Sequence, residues 1–108
     1  MMNVITNNIA KYEDAQLALR NVTDPEIGLN IVDLGLIYQL DFDEAEQKIY
    51  CTMTLTTQFC PMGESITHAA EGALKHSFPT CEIVMQLTFD PPWNYTRISA
   101  EGKQFLTE

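Results

Sequence analysis

Basic residues are scarce in this chain, with six Lys and Arg against fifteen Asp and Glu and a formal charge of −9. Such a balance repels a phosphate backbone, and the six cations are scattered rather than gathered into a patch, so a nucleic-acid partner is not expected. Long apolar runs are missing too. The uncharged stretch from Ile49 to Met62 is broken by polar residues and turn formers, well short of the roughly 20 apolar residues of a spanning helix, and no membrane association is expected. Met1 to Ala10 has no basic n-region, and Lys11, Glu13 and Asp14 fall where an apolar h-region would continue. A cytoplasmic location is the expectation. Cysteine is limited to Cys51, Cys60 and Cys81, an odd count at wide spacing that suits neither a disulfide framework nor a CxxC metal knuckle, and reads as reduced thiols. No Gly-rich phosphate loop, GxSxG elbow or HExxH pair occurs.

What remains is a chain of 108 residues with 45% hydrophobic content, enough for a single domain over residues 1–108 around one core. An imperfect helical stripe of Ile9, Tyr12, Leu17, Leu19 and Val22, with Thr6 or Asn7 as N-cap, predicts a first helix ending near Asn21. Pro25 and Gly28 then impose an ordered loop. Leu34 to Phe42 reads as a strand. Ile49, Cys51, Met53 and Leu55 alternate with Tyr50, Thr52, Thr54 and Thr56 in the period-two pattern of a half-buried strand, so the two form a hairpin. Ile66, Ala70, Ala73 and Leu74 recur at three and four as one face of a second helix, with Pro61 placed at or just before its first turn. Ile83, Met85, Leu87 and Phe89 alternate as a third strand, and Ser99 to Leu106 reads as a short closing helix weakened by Gly102. The order α-β-β-α-β-α predicts a two-layer α+β sandwich with a small mixed sheet of three to four strands. Ile49, Met53, Leu55, Ile66, Ala70, Leu74, Ile83, Met85 and Leu87 are the expected core.

Cys60 lies between a strand end and a helix start, where unsatisfied amides and the helix dipole favour a thiolate. The competing reading is a small buried hydrophobe, which is the expected state of Cys51 from its inward parity. Asp24, Glu26 and Asp33 place three carboxylates within ten residues, a composition that suits a hard cation or a thiol's partner, or else turn caps that accept backbone amides. Glu64 and His68 share a helix face, a spacing for two metal ligands and more often an exposed pair. Trp93 beside two prolines reads equally as a lid or a packed corner.

Three segments taken in order carry a resemblance: Asp24-Pro25-Glu26-Ile27-Gly28-Leu29-Asn30-Ile31-Val32-Asp33-Leu34-Gly35-Leu36-Ile37-Tyr38, then Met53-Thr54-Leu55-Thr56-Thr57-Gln58-Phe59-Cys60-Pro61-Met62, then Asp90-Pro91-Pro92-Trp93. Together they closely resemble the metal–sulfur cluster biosynthesis family, which includes SufT-like and PaaD-like proteins and the eukaryotic cytosolic iron–sulfur targeting factor. The resemblance implies an α+β domain whose pocket is formed by Asp24, Glu26, Asp33 and Thr56 around a functional Cys60, with Trp93 nearby. It further implies an accessory factor in iron–sulfur cluster assembly or client maturation, not an enzyme. No cofactor would be firmly bound, and iron or an iron–sulfur cluster would be held only transiently at Cys60. Assembly scaffold or carrier proteins and apo clients would be the partners, with a homodimer among the states allowed. PaaD-like proteins carry an added cysteine-rich C-terminal segment, whereas no cysteine follows Cys81 here, so maturation of a ring-oxidising oxygenase ranks second. A thiol-dependent enzyme ranks third, since no His stands close to Cys60 in sequence as its base.

Overall fold

The computed structural model describes residues 4–56 and 63–107. Its elements run β1 (Ile5–Thr6), α1 (Ile9–Leu19), β2 (Ile37–Asp43), β3 (Lys48–Met53), α2 (Gly63–Ser77), β4 (Glu82–Leu87), a 3₁₀ turn (Tyr95–Arg97) and α3 (Ala100–Thr107). The four strands form one mixed sheet in the order β1-β2-β3-β4, with β2 and β3 antiparallel and both outer pairs parallel. The expected α+β class and mixed sheet are therefore present, with β1 added at one edge. Two residues hold too little pattern to announce that strand.

Helix α1 starts with the first residue of its apolar stripe, Ile9, and its cap stands one or two residues later than the expected Asn7 or Thr6. The cap is Asn8, whose side chain accepts the Lys11 amide at 3.0 Å. The buried side of α1 is Ala15, Ala18 and Leu19, while Ile9 and Leu17 face solvent. Helix α2 places Glu64 in its first turn and Lys75 in its last, each sign matched to the helix dipole. Its buried face is Ile66, Ala70 and Leu74, as expected.

Strand β3 buries Ile49, Cys51 and Met53 on one face, and Leu55 beyond it is also buried. On β4 the same parity does not give the same burial. Ile83 and Met85 are only half-buried and Leu87 is 49% exposed, which corrects their assignment to the core. The reason is position: β4 is the sheet's last strand, and α2 does not reach across it fully.

Gly102 belongs inside α3 for a reason that helix propensity misses. A Cβ there would lie 2.8 Å from Ile98 Cγ2 and 2.9 Å from Leu29 Cδ2, so only glycine lets α3 settle onto the loop before β2.

Candidate functional site

The loop after α1 is closed by its own backbone. The Asp24 amide donates to the Leu29 carbonyl, the Ile31 amide to the Val22 carbonyl, and the Gly28 amide to the Asp24 carbonyl at 2.7 Å. Gly28 takes φ +84°, a conformation that L side chains seldom adopt. The buried Asp24 carboxylate accepts the Glu26 amide at 2.9 Å. Of the two readings open for Asp24, the structure shows the turn cap.

Asp33 is the centre of a different network. Its carboxylate accepts from Arg20 Nη1 at 2.9 Å, Asn30 Nδ2 at 2.7 Å and Ser99 Oγ at 2.8 Å, while its amide donates to Asn30 Oδ1. Burial acts to raise the carboxyl's pKa, but the three hydrogen bonds and the Arg20 charge outweigh it and hold the group below its usual value. Asp33 therefore ties α1, its own loop and the start of α3 together as a carboxylate.

A strap of chain from Pro91 to Ser99 lies across the segment that leads into β2. The Tyr38 hydroxyl donates to the Pro91 carbonyl at 2.7 Å, and Trp93 Nε1 donates to the Leu34 carbonyl at 2.6 Å. Arg97 Nε reaches the Gly35 carbonyl at 3.2 Å, and its guanidinium lies 4.1 Å from the centre of the Tyr38 ring. Trp93 is half-buried against the core, so the packed corner is the reading that holds.

These contacts bring the motif segments together. The Thr54 amide donates to the Leu36 carbonyl at 2.8 Å, and Leu55 Cδ1 lies against Gly63, where an added Cβ would come within 2.7 Å. Thr56, half-buried, follows directly. Thr23 and Pro25 face Ser65, Ile66 and Ala69 across a groove of about 430 Å³, so the first turns of α2 and the loop of Asp24 share one concave surface. Cys60 lies outside the described residues, three positions before α2 in sequence. The carboxylates of Asp24 and Asp33 serve separate networks rather than one shared cluster. Glu26 is exposed. Among the described residues, no group of three His, Cys, Asp or Glu side chains is placed to hold a metal ion, the face of Glu64 and His68 included.

Arg20, Tyr38, Arg97 and Ser99 escape a sequence reading because their partners lie far along the chain. Asn30 was missed too, although it carried a local signal, standing three residues before Asp33 in the spacing of a side chain that caps a turn.

Residues 13–85 match the model of a family described as iron–sulfur cluster assembly protein. The chain belongs to that family. It is 35% identical over 94 residues to the Fe-S protein maturation auxiliary factor YitW of Bacillus subtilis, a match covering 87% of this chain and 91% of the relative. It is 34% identical over 82 residues to the auxiliary factor SufT of Staphylococcus aureus, covering 76% of this chain and 92% of that one. The crystal structure of a domain of unknown function from Bacillus anthracis superposes with a TM-score of 0.85 at 34% identity, covering 92% of this chain and 93% of the other. The resemblance carried by the three motifs is thus confirmed.

Within this iron–sulfur assembly family fold, Cys51 is inert by placement. It is fully buried, and desolvation pushes its thiol up to about 12. A thiol reagent at pH 8 is expected to leave Cys51 unmodified in the native protein and to reach it on unfolding. Cys51→Ala should cost roughly 1 to 2 kcal/mol through the small cavity left among Ile49, Met53 and their neighbours, read as a shifted denaturant midpoint.

Proposed function

We propose that this chain is an accessory factor in iron–sulfur protein maturation, acting through the Cys60 thiol and without turnover of its own. Carrying the proposal is the match to relatives named as Fe-S protein maturation auxiliary factors over about nine-tenths of their length. On this reading the chain is a single cytoplasmic domain, and its partners are cluster scaffold or carrier proteins and apo clients. Iron or a cluster is the cargo, held in passing rather than as a resident group. The concave surface between the loop of Asp24 and the first turns of α2 supports this reading, because Cys60 stands three positions before that helix in sequence. No general base stands near Cys60 in sequence, which favours a thiol that binds over one that turns over.

The test is complementation of a strain lacking its own maturation factor, read as the activity of its iron–sulfur enzymes. Wild type should restore activity and Cys60→Ala should not, while the purified variant unfolds within about 1 kcal/mol of wild type. Full activity from Cys60→Ala would remove the thiol from the mechanism. Anaerobic addition of iron and sulfide to both proteins, followed by visible absorbance, separates a thiol that holds cargo from one that contacts a partner.

A further inference from the structure

The two edges of the sheet are finished differently. Beyond the end of β1, the Asn7 side chain continues the pairing: Nδ2 donates to the Phe42 carbonyl at 3.1 Å and Oδ1 accepts the Phe42 amide at 2.9 Å. The β1 edge is thus only two residues long, with the flank of β2 beyond it capped by a side chain imitating backbone. At the other edge, among the described residues, β4 pairs with β3 alone.

The pairing pattern says which groups are left over. The amides of Glu82 and Thr88 donate inward to the Gln47 and Met53 carbonyls at 2.8 and 2.9 Å, and alternation turns Val84 and Gln86 the same way. Ile83, Met85 and Leu87 therefore aim their N–H and C=O groups away from the sheet. Their side chains stand in register with Ile49, Cys51 and Met53, on the face that α2 covers incompletely. Between β4 and α2 runs a groove of about 480 Å³ reaching Met85 and walled by Glu64, Thr67, His68 and Glu71. A neighbouring hollow adds Glu46 and Glu82, and its one cation, Lys75, donates to the Cys81 carbonyl at 2.8 Å.

We propose that the open edge of β4 is a docking surface for an extended, basic segment of another protein, which adds as a fifth strand. Such a segment would satisfy the outward backbone groups of Ile83, Met85 and Leu87. Every second side chain would enter the groove under α2, where Lys or Arg stems cover Met85 and Leu87 and the charged heads reach Glu64 and Glu71. Charge selects the occupant. A second copy, itself of net charge −9, would set the same glutamates against these, whereas a basic segment neutralises them. This surface stands independently of what Cys60 does.

The probe is a synthetic peptide of alternating Lys and Val, seven residues long with blocked ends, titrated into the isotope-labelled full chain and followed by backbone amide resonances. Saturable shifts are expected at Ile83, Met85 and Leu87, with hydrogen exchange there slowed by about tenfold or more, while Val84 and Gln86 change little. Its Glu–Val counterpart should not bind. Met85→Pro removes the central outward N–H and leaves every β3 bond intact, and should weaken binding by about tenfold or more. Glu64→Lys with Glu71→Lys, on the exposed side of α2, should do likewise at low salt, and carries the test alone if Met85→Pro unfolds. Equal binding of the Glu–Val peptide, shifts centred on another face, or a homodimer in sedimentation equilibrium that Glu64→Lys with Glu71→Lys tightens would each overturn the proposal.

Discussion

Asp33→Ala should lower the unfolding free energy by about 2 to 3 kcal/mol, because it removes one acceptor from three donors at once. Arg20 is partly exposed and recovers some hydration, which keeps the loss below that of a fully buried pair. Asn30 and Ser99 are left to find new partners at the junction of α1, the β2 approach and α3. Asp33→Asn restores the shape without the charge and should recover only part of the loss. The pH dependence follows from the lowered pKa. A carboxyl that titrates lower when folded than when unfolded stabilises the fold above the ordinary aspartate value, and that stability drains away as pH falls below about 4 toward the folded value. Urea midpoints between pH 2 and 6 should fall on the acid side in wild type, and less steeply in Asp33→Asn.

Gly35→Ala is expected to be at least as damaging, at about 3 kcal/mol, and a second glycine shows why. Gly35 and Gly28 both have positive φ, +80° and +84°, so an alanine at either meets the same backbone penalty of roughly 1 to 2 kcal/mol. Around Gly28 nothing lies within 4 Å of an added Cβ, whereas at Gly35 that carbon would press on the Arg97 carbonyl and come within 2.8 Å of Arg97 Cβ. The strap would have to lift from Gly35 and Tyr38 to make room. Melting temperature should therefore fall by roughly 10 to 20 °C in Gly35→Ala and by clearly less in Gly28→Ala. Equal effects at the two sites would mean that close approach of the strap contributes nothing.

The parts of this fold legible in sequence are those whose cause is local. The alternation from Ile49 to Leu55 and the three-and-four spacing of Ile66, Ala70 and Leu74 each describe one element's buried face, and both are buried as expected. Parity could not tell that Ile83, Met85 and Leu87 sit on an edge, since a strand's place in a sheet is decided by other strands. Gly102 was legible as a weak helix residue but not as a contact surface, because Leu29 and Asp33 lie some seventy positions away. The site divides in the same manner. The segments that carry the motif resemblance are joined in the structure through Thr54 to Leu36 and Trp93 to Leu34. The resemblance did not foretell that Asp24 and Asp33 spend their carboxylates on separate networks, because an aspartate that caps a turn and one that faces a pocket look alike in sequence.

The strap also sets an order of events during synthesis. Trp93, Arg97 and Ser99 meet partners 59, 62 and 66 residues earlier in the chain. While the ribosome translates the intervening stretch, Asp33 can already pair with Arg20 and Asn30, but Leu34 and Leu36 have no strap over them. The contacts that cover the Leu34 and Gly35 carbonyls are thus supplied late, and this corner of the domain closes only once the chain has been made as far as Ser99.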